Sequence, residues 1–353
     1  MISFIEFGKF IFVYFWRNLK SMIKIGNIKL GTFPLLLAPM EDVSDPPFRI
    51  ICKEQGADMV YTEFISSEGL IRDAAKSIQK LDIYEKERPV GIQIFGANLD
   101  SMQRAIEIVE ETKPDIIDIN FGCPVKKVVC KGAGAGILKD IPKMVALTKA
   151  MVKQTKIPIT VKTRLGWDHN SIRIVDVAER LQDVGCAAIS IHGRTRAQMY
   201  KGAADWKPIE QVKNNPRMFI PVFGNGDVNS PEKALEMKNK YGLDGAMIGR
   251  ASIGNPWFFN QVKYFMETGK YKCLPSLEER VEVARRHLEM SVAWKGPVLG
   301  VLETRRHYTN YFKGYHNFKS FRTRMVTSNS AEEVYTVLNE VLDVYEPRTI
   351  EFV

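Results

Sequence analysis

"PVGIQIFGANLDSMQRAIEIVEETKPDIIDINFG", residues 89–122, decides the fold. An apolar run at 89–96 ends in glycine. A helix-like segment, NLDSMQRAIEIVEETK, occupies 98–113, and a second apolar run fills 115–122. Buried parallel strands read as continuous apolar runs, and strands alternating with helices imply a parallel sheet. The same rhythm extends in both directions. Upstream lie "PLLLAPM" (34–40) and "DMVYTEF" (58–64). Downstream lie "IPITVKTRLG" (157–166), "AAISIHGR" (187–194), "FIPVFGNGDV" (219–228) and "DGAMIGRA" (244–251). Eight such units predict an α/β fold, a (β/α)8 TIM barrel. A doubly wound sheet also alternates, but no GxGxxG follows the first strand.

The rhythm changes after about residue 262. "SLEERVEVARRHLEMSVAWKG" (276–296) and "SAEEVYTVLNEVLDVYE" (330–346) show helical periodicity, with Ser276 and Ser330 as caps. The expected organisation is therefore a barrel over 22–262 and a helical domain over 263–353. Residues 1–21 are aromatic-rich but carry Glu6 and Lys9, and they fall short of a membrane span. They lack the basic start and small-residue cleavage site of a secretory signal. They are read as an extension or a mis-assigned start before Met22.

The composition, 45% hydrophobic and 26% charged over 353 residues, is that of an ordinary globular protein. A net charge of +9 points to an anionic partner. Five scattered cysteines without a CxxC pair suggest neither a disulfide framework nor a zinc or other metal site. A reducing cytoplasm is the expected compartment.

In a barrel, catalytic groups come from the C-terminal strand ends. The polar residues fall there: Met40 to Asp42, Glu63, Gln93, Asn120, Lys162 to Arg164, His192, Asn225 to Asp227, and Gly249 with Arg250. The glycine-containing loops after strands 7 and 8, with Arg250, suit a phosphate. Lys162 would stabilise negative charge on a flat ring, with Gln93 and His192 beside it. A flat cofactor carrying one phosphate fits FMN better than a dinucleotide. Each of these residues alone also has an ordinary structural explanation.

Cys123 sits in a Gly-Cys-Pro turn at a strand end. It reads as a proton donor, a nucleophile or a small buried residue, with Cys130 as competitor on the same loop. A thiol is largely protonated near pH 7 and can act as a general acid. Lys126, Lys127 and Lys131 would lower its pKa. From residue 305 to residue 325 the chain carries Arg305, Arg306, Lys313, Lys319, Arg322 and Arg324 and no acid. Tyr308, Tyr311, Phe312, Tyr315, Phe318 and Phe321 interleave with them. That is the footprint expected of RNA binding through phosphates and stacking; a solvated charged face is the plainer alternative.

Several motifs in fixed order then resemble one family. They are "APMEDVSDPPFR" (38–49), "GIQIFGA" (91–97), "INFGCPVKKV" (119–128), "GAGAGIL" (132–138), "VKTRLGWD" (161–168), "IHGRTRAQMYKGAADW" (191–206), "FGNGDV" (223–228) and "GAMIGRASIGNPWFF" (245–259). From Met22 onward the chain is similar to the tRNA-dihydrouridine synthases, most of all their bacterial B-type branch. The resemblance implies an FMN barrel followed by a tRNA-binding helical domain. It implies reduction of the C5=C6 bond of a tRNA uridine, with NADPH as reductant. It would set Pro39, Met40 and Glu41 along the flavin, and Gln93, Lys162 and His192 around it. Asn225, Gly226, Asp227, Gly249 and Arg250 would surround the ribityl phosphate. Asn120 would orient the uracil and Cys123 would donate the proton. Arg305, Arg306, Lys313, Arg322 and Arg324 are the candidate tRNA contacts. The chain departs from the family at "PMED", where "PMAG" or "PMAD" is expected, and in residues 1–21. Two other readings stay open: an FMN dehydrogenase of a free pyrimidine, and a non-catalytic RNA-binding protein.

Overall fold

The computed structural model describes residues 22–345; the extension read at 1–21 lies outside the described residues. A short antiparallel hairpin, β1 (Ile23–Ile25) and β2 (Ile28–Gly31), precedes the sheet. The barrel strands are β3 (Leu35–Leu37), β4 (Val60–Ser66), β5 (Val90–Phe95), β6 (Ile116–Phe121), β7 (Ile159–Arg164), β8 (Ala188–His192), β9 (Val222–Asn225) and β10 (Gly245–Ile248). They pair in the order β3-β10-β9-β8-β7-β6-β5-β4, every pair parallel. A bridge between Leu36 and Met59, with Leu37 N donating to Met59 O at 2.9 Å, brings β3 to the chain entering β4 and closes the ring.

Each strand is followed by helical structure. The principal barrel helices are α1 (Pro46–Glu54), α2 (Leu99–Glu111), α3 (Ile141–Gln154), α4 (Ile174–Asp183), α5 (Lys207–Asn214), α6 (Pro231–Asn239) and α7 (Phe258–Thr268). Local chemistry fixes their starts. Asp45 caps α1 by accepting from Phe48 N, and Asn98 caps α2 by accepting from Ser101 N. β6 shows why an apolar strand can still serve a site. Side chains alternate across a strand. Ile117, Ile119 and Phe121 pack outward with the helices, which leaves Asp118 and Asn120 on the inner face with Ile116.

The hairpin was not anticipated. Ile25 and Leu30 pack with Leu36, Tyr61, Ile116, Phe223 and Met247, plugging the barrel interior. Its signal was present in "IKIGNIKL": two alternating runs across a Gly-Asn turn. Gly26 lies at φ +55°, and a Cβ there would stand 2.7 Å from Pro158.

The barrel also extends further than residue 262. α7 crosses that position, buries Phe259 and Val262 in the barrel core, and ends at Gly269 in the left-handed region. An exposed connection then leads to α8 (Leu277–Lys295), α9 (Pro297–Tyr311), α10 (Lys319–Thr327) and α11 (Ala331–Tyr345). This helical unit docks on α1. Ile51 joins its core, and the Phe48 ring lies 4.7 Å from that of His307 and 5.6 Å from that of His287. A buried ion pair, Lys295 to Asp45 at 2.7 Å, ties the two together.

The interleaved aromatics do not have the stacking role expected of them. Tyr308 and Tyr311 are fully buried, Phe312 and Phe318 nearly so, and all four form the core of the helical unit. Their spacing reflects amphipathic packing rather than a platform for bases. Among the described residues, no helix is long and apolar enough to cross a membrane.

Candidate active site

The C-terminal strand ends open into a cavity of ≈ 1100 Å³. Pro39, Met40 and Glu41 after β3, Asn120 and Cys123 at the end of β6, Lys162 on β7 and His192 on β8 line it. Asn225, Gly226 and Asp227 at the end of β9, with Gly249 and Arg250 after β10, complete the wall. All the expected catalytic and cofactor residues except Gln93 therefore share one cavity. Gln93 stands behind it, closed to solvent. Its Oε1 accepts from Asn120 and one Nε2–H goes to Asp118. That leaves a single N–H for anything else.

The β7 to β10 side is strongly cationic. Lys162, Arg164, Arg194 and Arg250 all line the cavity. Asp227 is the carboxylate among them: Oδ1 accepts from Arg250 at 3.0 Å, and Oδ2 from Arg194 at 2.6 Å and Ala204 N at 2.8 Å. Burial alone would raise the Asp227 pKa, but these donors outweigh it and hold the carboxyl below its usual range. Lys162 Nζ has only the amide oxygen of Asn225, at 3.2 Å. Burial, then the neighbouring Arg164, push its pKa down to about 8. No ion pair forms at Lys162; the Asp118 carboxylate acts on it only from farther off.

His192 is held neutral. Burial first, then Lys162 and three arginines, push its pKa well below the usual value. Its Nε2 lies 3.2 Å from Arg194 Nη1, which can only donate. Nε2 is therefore the acceptor, and Nδ1 carries the proton. Gly226 makes room beside this ring. It sits at φ +110°, and a Cβ would stand 2.7 Å from His192 Cδ2.

Cys123 is 7% exposed at the cavity wall. Burial raises its pKa, over the opposing pull of a backbone hydrogen bond at Val125 and the charges of Arg164 and Lys162. This corrects the expectation that Lys126, Lys127 and Lys131 depress it. Those lysines are exposed, and the thiol is held protonated instead. Cys130 is exposed and outside the cavity lining. The turn is held from two sides. Asn120 Oδ1 accepts from Gly122 N and Cys123 N at 2.9 and 2.8 Å, and Arg164 Nε donates to Gly122 O at 2.7 Å.

The acid of "PMED" has a partner. Lys80 Nζ lies 2.6 Å from Glu41 and 3.3 Å from Glu63, so its ammonium bridges both carboxylates. Arg164, Arg194, Asp118 and Lys80 had no assigned role in the sequence reading. Arg164 belongs to the polar strand-end set already noted, and Arg194, two residues past β8, stands in the same position and could have been flagged with it.

The expected RNA-binding residues divide. Arg305 donates to Thr327 O, Ser328 O and Asn329, closing the C-terminal end of α10. Arg324 forks onto Glu340. Arg306 lies 3.7 Å from Asp42 at the barrel mouth. Lys313 and Arg322 are exposed.

The family model for "Dihydrouridine synthase (Dus)" matches residues 36–346. The chain is 37% identical over 325 residues to "Probable tRNA-dihydrouridine synthase" of Rickettsia prowazekii, covering 92% of this chain and 98% of that one. It is 37% identical over 304 residues to "tRNA-dihydrouridine synthase B" of Pseudomonas putida, covering 86% and 89%. Among solved structures, the fold is similar to a morphinone reductase mutant in complex with tetrahydroNAD, with TM-score 0.52 at 10% identity, covering 70% of this chain and 90% of that one. It is also similar to 2-naphthoyl-CoA reductase, with TM-score 0.55 at 12% identity, covering 70% of this chain and about half, 52%, of that one.

Proposed function

Because the chain belongs to the dihydrouridine synthase family, we propose that it reduces a uridine of tRNA to 5,6-dihydrouridine, with FMN in the barrel mouth and NADPH as reductant. The observation that carries this reading is one cavity holding both a protonated thiol and an excess of positive charge.

The donor set fits FMN. Four cations face one carboxylate on the β7 to β10 side, and Glu41 is taken up by Lys80. That imbalance suits a phosphate and an electron-rich ring edge. Arg250 and the loops around Gly226 and Gly249 would hold the phosphate. Lys162 would face the ring, and His192 would offer its Nδ1–H. Pro39 and Met40 would line the ring, and Gln93 has one N–H to give. Bound FMN supplies the two-electron chemistry, a hydride taken from NADPH and delivered to uracil C6.

Hydride at C6 builds negative charge toward C5 and the C4 carbonyl, so a proton must reach C5. The Cys123 thiol, kept protonated by burial, would supply it. The Asn120 Nδ2 group has one N–H beyond its bond to Gln93 and would orient the uracil with it. A uridine must leave its stack to enter this cavity. Within residues 305–325, the exposed Lys313, Lys319 and Arg322 would be available for the RNA backbone.

The test is dihydrouridine formation, measured by mass on unmodified tRNA with NADPH. Cys123→Ala is expected to bind FMN and tRNA but to lose roughly 10²-fold or more in turnover. Unchanged turnover would remove the acid assignment. Activity on a free pyrimidine in place of tRNA would overturn the substrate.

A further inference from the structure

Asp118 lies on the inner face of β6, 1% exposed, below the cavity and outside its lining. Its Oδ1 accepts from Thr160 Oγ1 at 2.5 Å, and its Oδ2 from Gln93 Nε2 at 2.6 Å. Gln93 Oε1 accepts from Asn120 Nδ2 at 2.7 Å. Asn120 Oδ1 then accepts from the N–H groups of Gly122 and Cys123. Three strand interiors thus feed one line of bonds that ends on the cysteine turn.

The line has a direction. Burial raises the Asp118 pKa to about 6, so above that pH the group is mainly ionised, and an ionised carboxylate only accepts. It therefore draws the NH₂ end of Gln93 downward, which turns the Gln93 oxygen to Asn120. That oxygen draws the Asn120 NH₂ group, which turns the Asn120 oxygen to the two backbone N–H groups. Reversing either amide would set oxygen against oxygen at one end and N–H against N–H at the other. Gln93 is closed to solvent and Asn120 nearly so, and the mismatched ends face protein groups, so such a mismatch would be costly.

We infer that Asp118 is a positioning residue for Cys123: acting through Gln93 and Asn120, it fixes the direction of both amides and holds the cysteine turn with its thiol at the cavity wall. The functional consequence rests on the reaction proposed above; the geometric one does not.

Two readouts separate them. The first is the iodoacetamide modification rate of Cys123 in the full-length protein, read by peptide mass. Lys126 and Lys127 allow tryptic separation from Cys130. Asp118→Leu removes both acceptors, and the rate is expected to rise several-fold. Asp118→Asn keeps an oxygen toward Gln93 with its NH₂ toward Thr160, and should restore most of the native rate. The second readout is turnover on tRNA. Asp118→Leu should lower kcat about tenfold or more with KM for tRNA little changed, because a small misplacement of a reacting group is costly. Added to Cys123→Ala, it should cause no further loss.

An unchanged alkylation rate in Asp118→Leu, or an equal further loss on the Cys123→Ala background, would overturn the inference. If Asp118→Leu fails to fold, Gln93→Leu cuts the same line at its middle. It should raise the alkylation rate alike; an unchanged rate in Gln93→Leu would refute the line. A wild-type protein inactive on tRNA would remove the reaction while leaving the alkylation result to judge the positioning.

Discussion

At the residue scale, burial sets the protonation states of Lys162, His192 and Cys123, whereas at Asp227 the surrounding donors overrule it. Lys162 provides the clearest consequence. Its pKa of about 8 lies below the ordinary lysine value, and an electron-rich ligand edge would raise it again. Binding should therefore take up a proton above pH 8. FMN affinity should be greatest below pH 8 and weaken as the pH rises through it. His192 stays neutral and Cys123 protonated on either side of that point, so neither mimics the effect. In Lys162→Met the affinity should be weaker and flat from pH 7 to about pH 9. Titration of apoprotein with FMN across that range measures this, and a flat wild-type profile would contradict it. Gly226→Ala makes a second prediction. The methyl group would enter the space of the His192 ring, at a φ that L-residues rarely adopt. It should cost FMN retention during purification; a fully loaded variant would show that the loop can give way.

At the scale of elements, the barrel strands were readable because each buries a continuous apolar stretch between glycine, proline and polar breaks. The strand-end rule then located most of the cavity wall. What escaped the reading depends on distance along the chain. Asp118 is explained only by Gln93 and Thr160, which lie 25 and 42 positions away. Arg164 is explained by Gly122, also 42 positions away. The aromatics of α9 and α10 misled because a buried face and a stacking face carry the same residue types. The hairpin escaped because its two strands are only three and four residues long. Its packing predicts that Ile25→Ala costs about 2–5 kcal/mol, with little effect on the chemistry at the opposite end. A thermal midpoint equal to wild type would show that the plug is dispensable. The docking of α8 on α1 makes a comparable claim. Lys295 and Asp45 are both nearly closed to solvent, so Lys295→Met strands a buried carboxylate at about 3–5 kcal/mol. The exposed connection after Gly269 should then be cut faster by protease; unchanged cleavage would place the docking energy elsewhere.

At the scale of the molecule, where the net charge is +9, cations gather in two places. One set of cations is gathered around the cavity, where few carboxylates answer it. Another set lies on the helical unit, where Arg305 and Arg324 are engaged internally and Lys313, Lys319 and Arg322 face solvent. Replacing those three by alanine should weaken tRNA binding. It should also flatten the salt dependence by about 0.7–0.9 for each phosphate no longer neutralised, whereas an unaltered slope would put the RNA on another face. Both sets of cations meet in the proposed reaction, in which FMN held in the barrel would supply the electrons for a uridine presented by tRNA. It is tested most directly by reducing the FMN-loaded protein with NADPH without oxygen, then mixing it with unmodified tRNA or with free uridine. Rapid return of the oxidised flavin spectrum is expected with tRNA, little with uridine, and little with tRNA in Cys123→Ala. Equal reoxidation by free uridine, or reoxidation by tRNA that ignores Cys123, would contradict it.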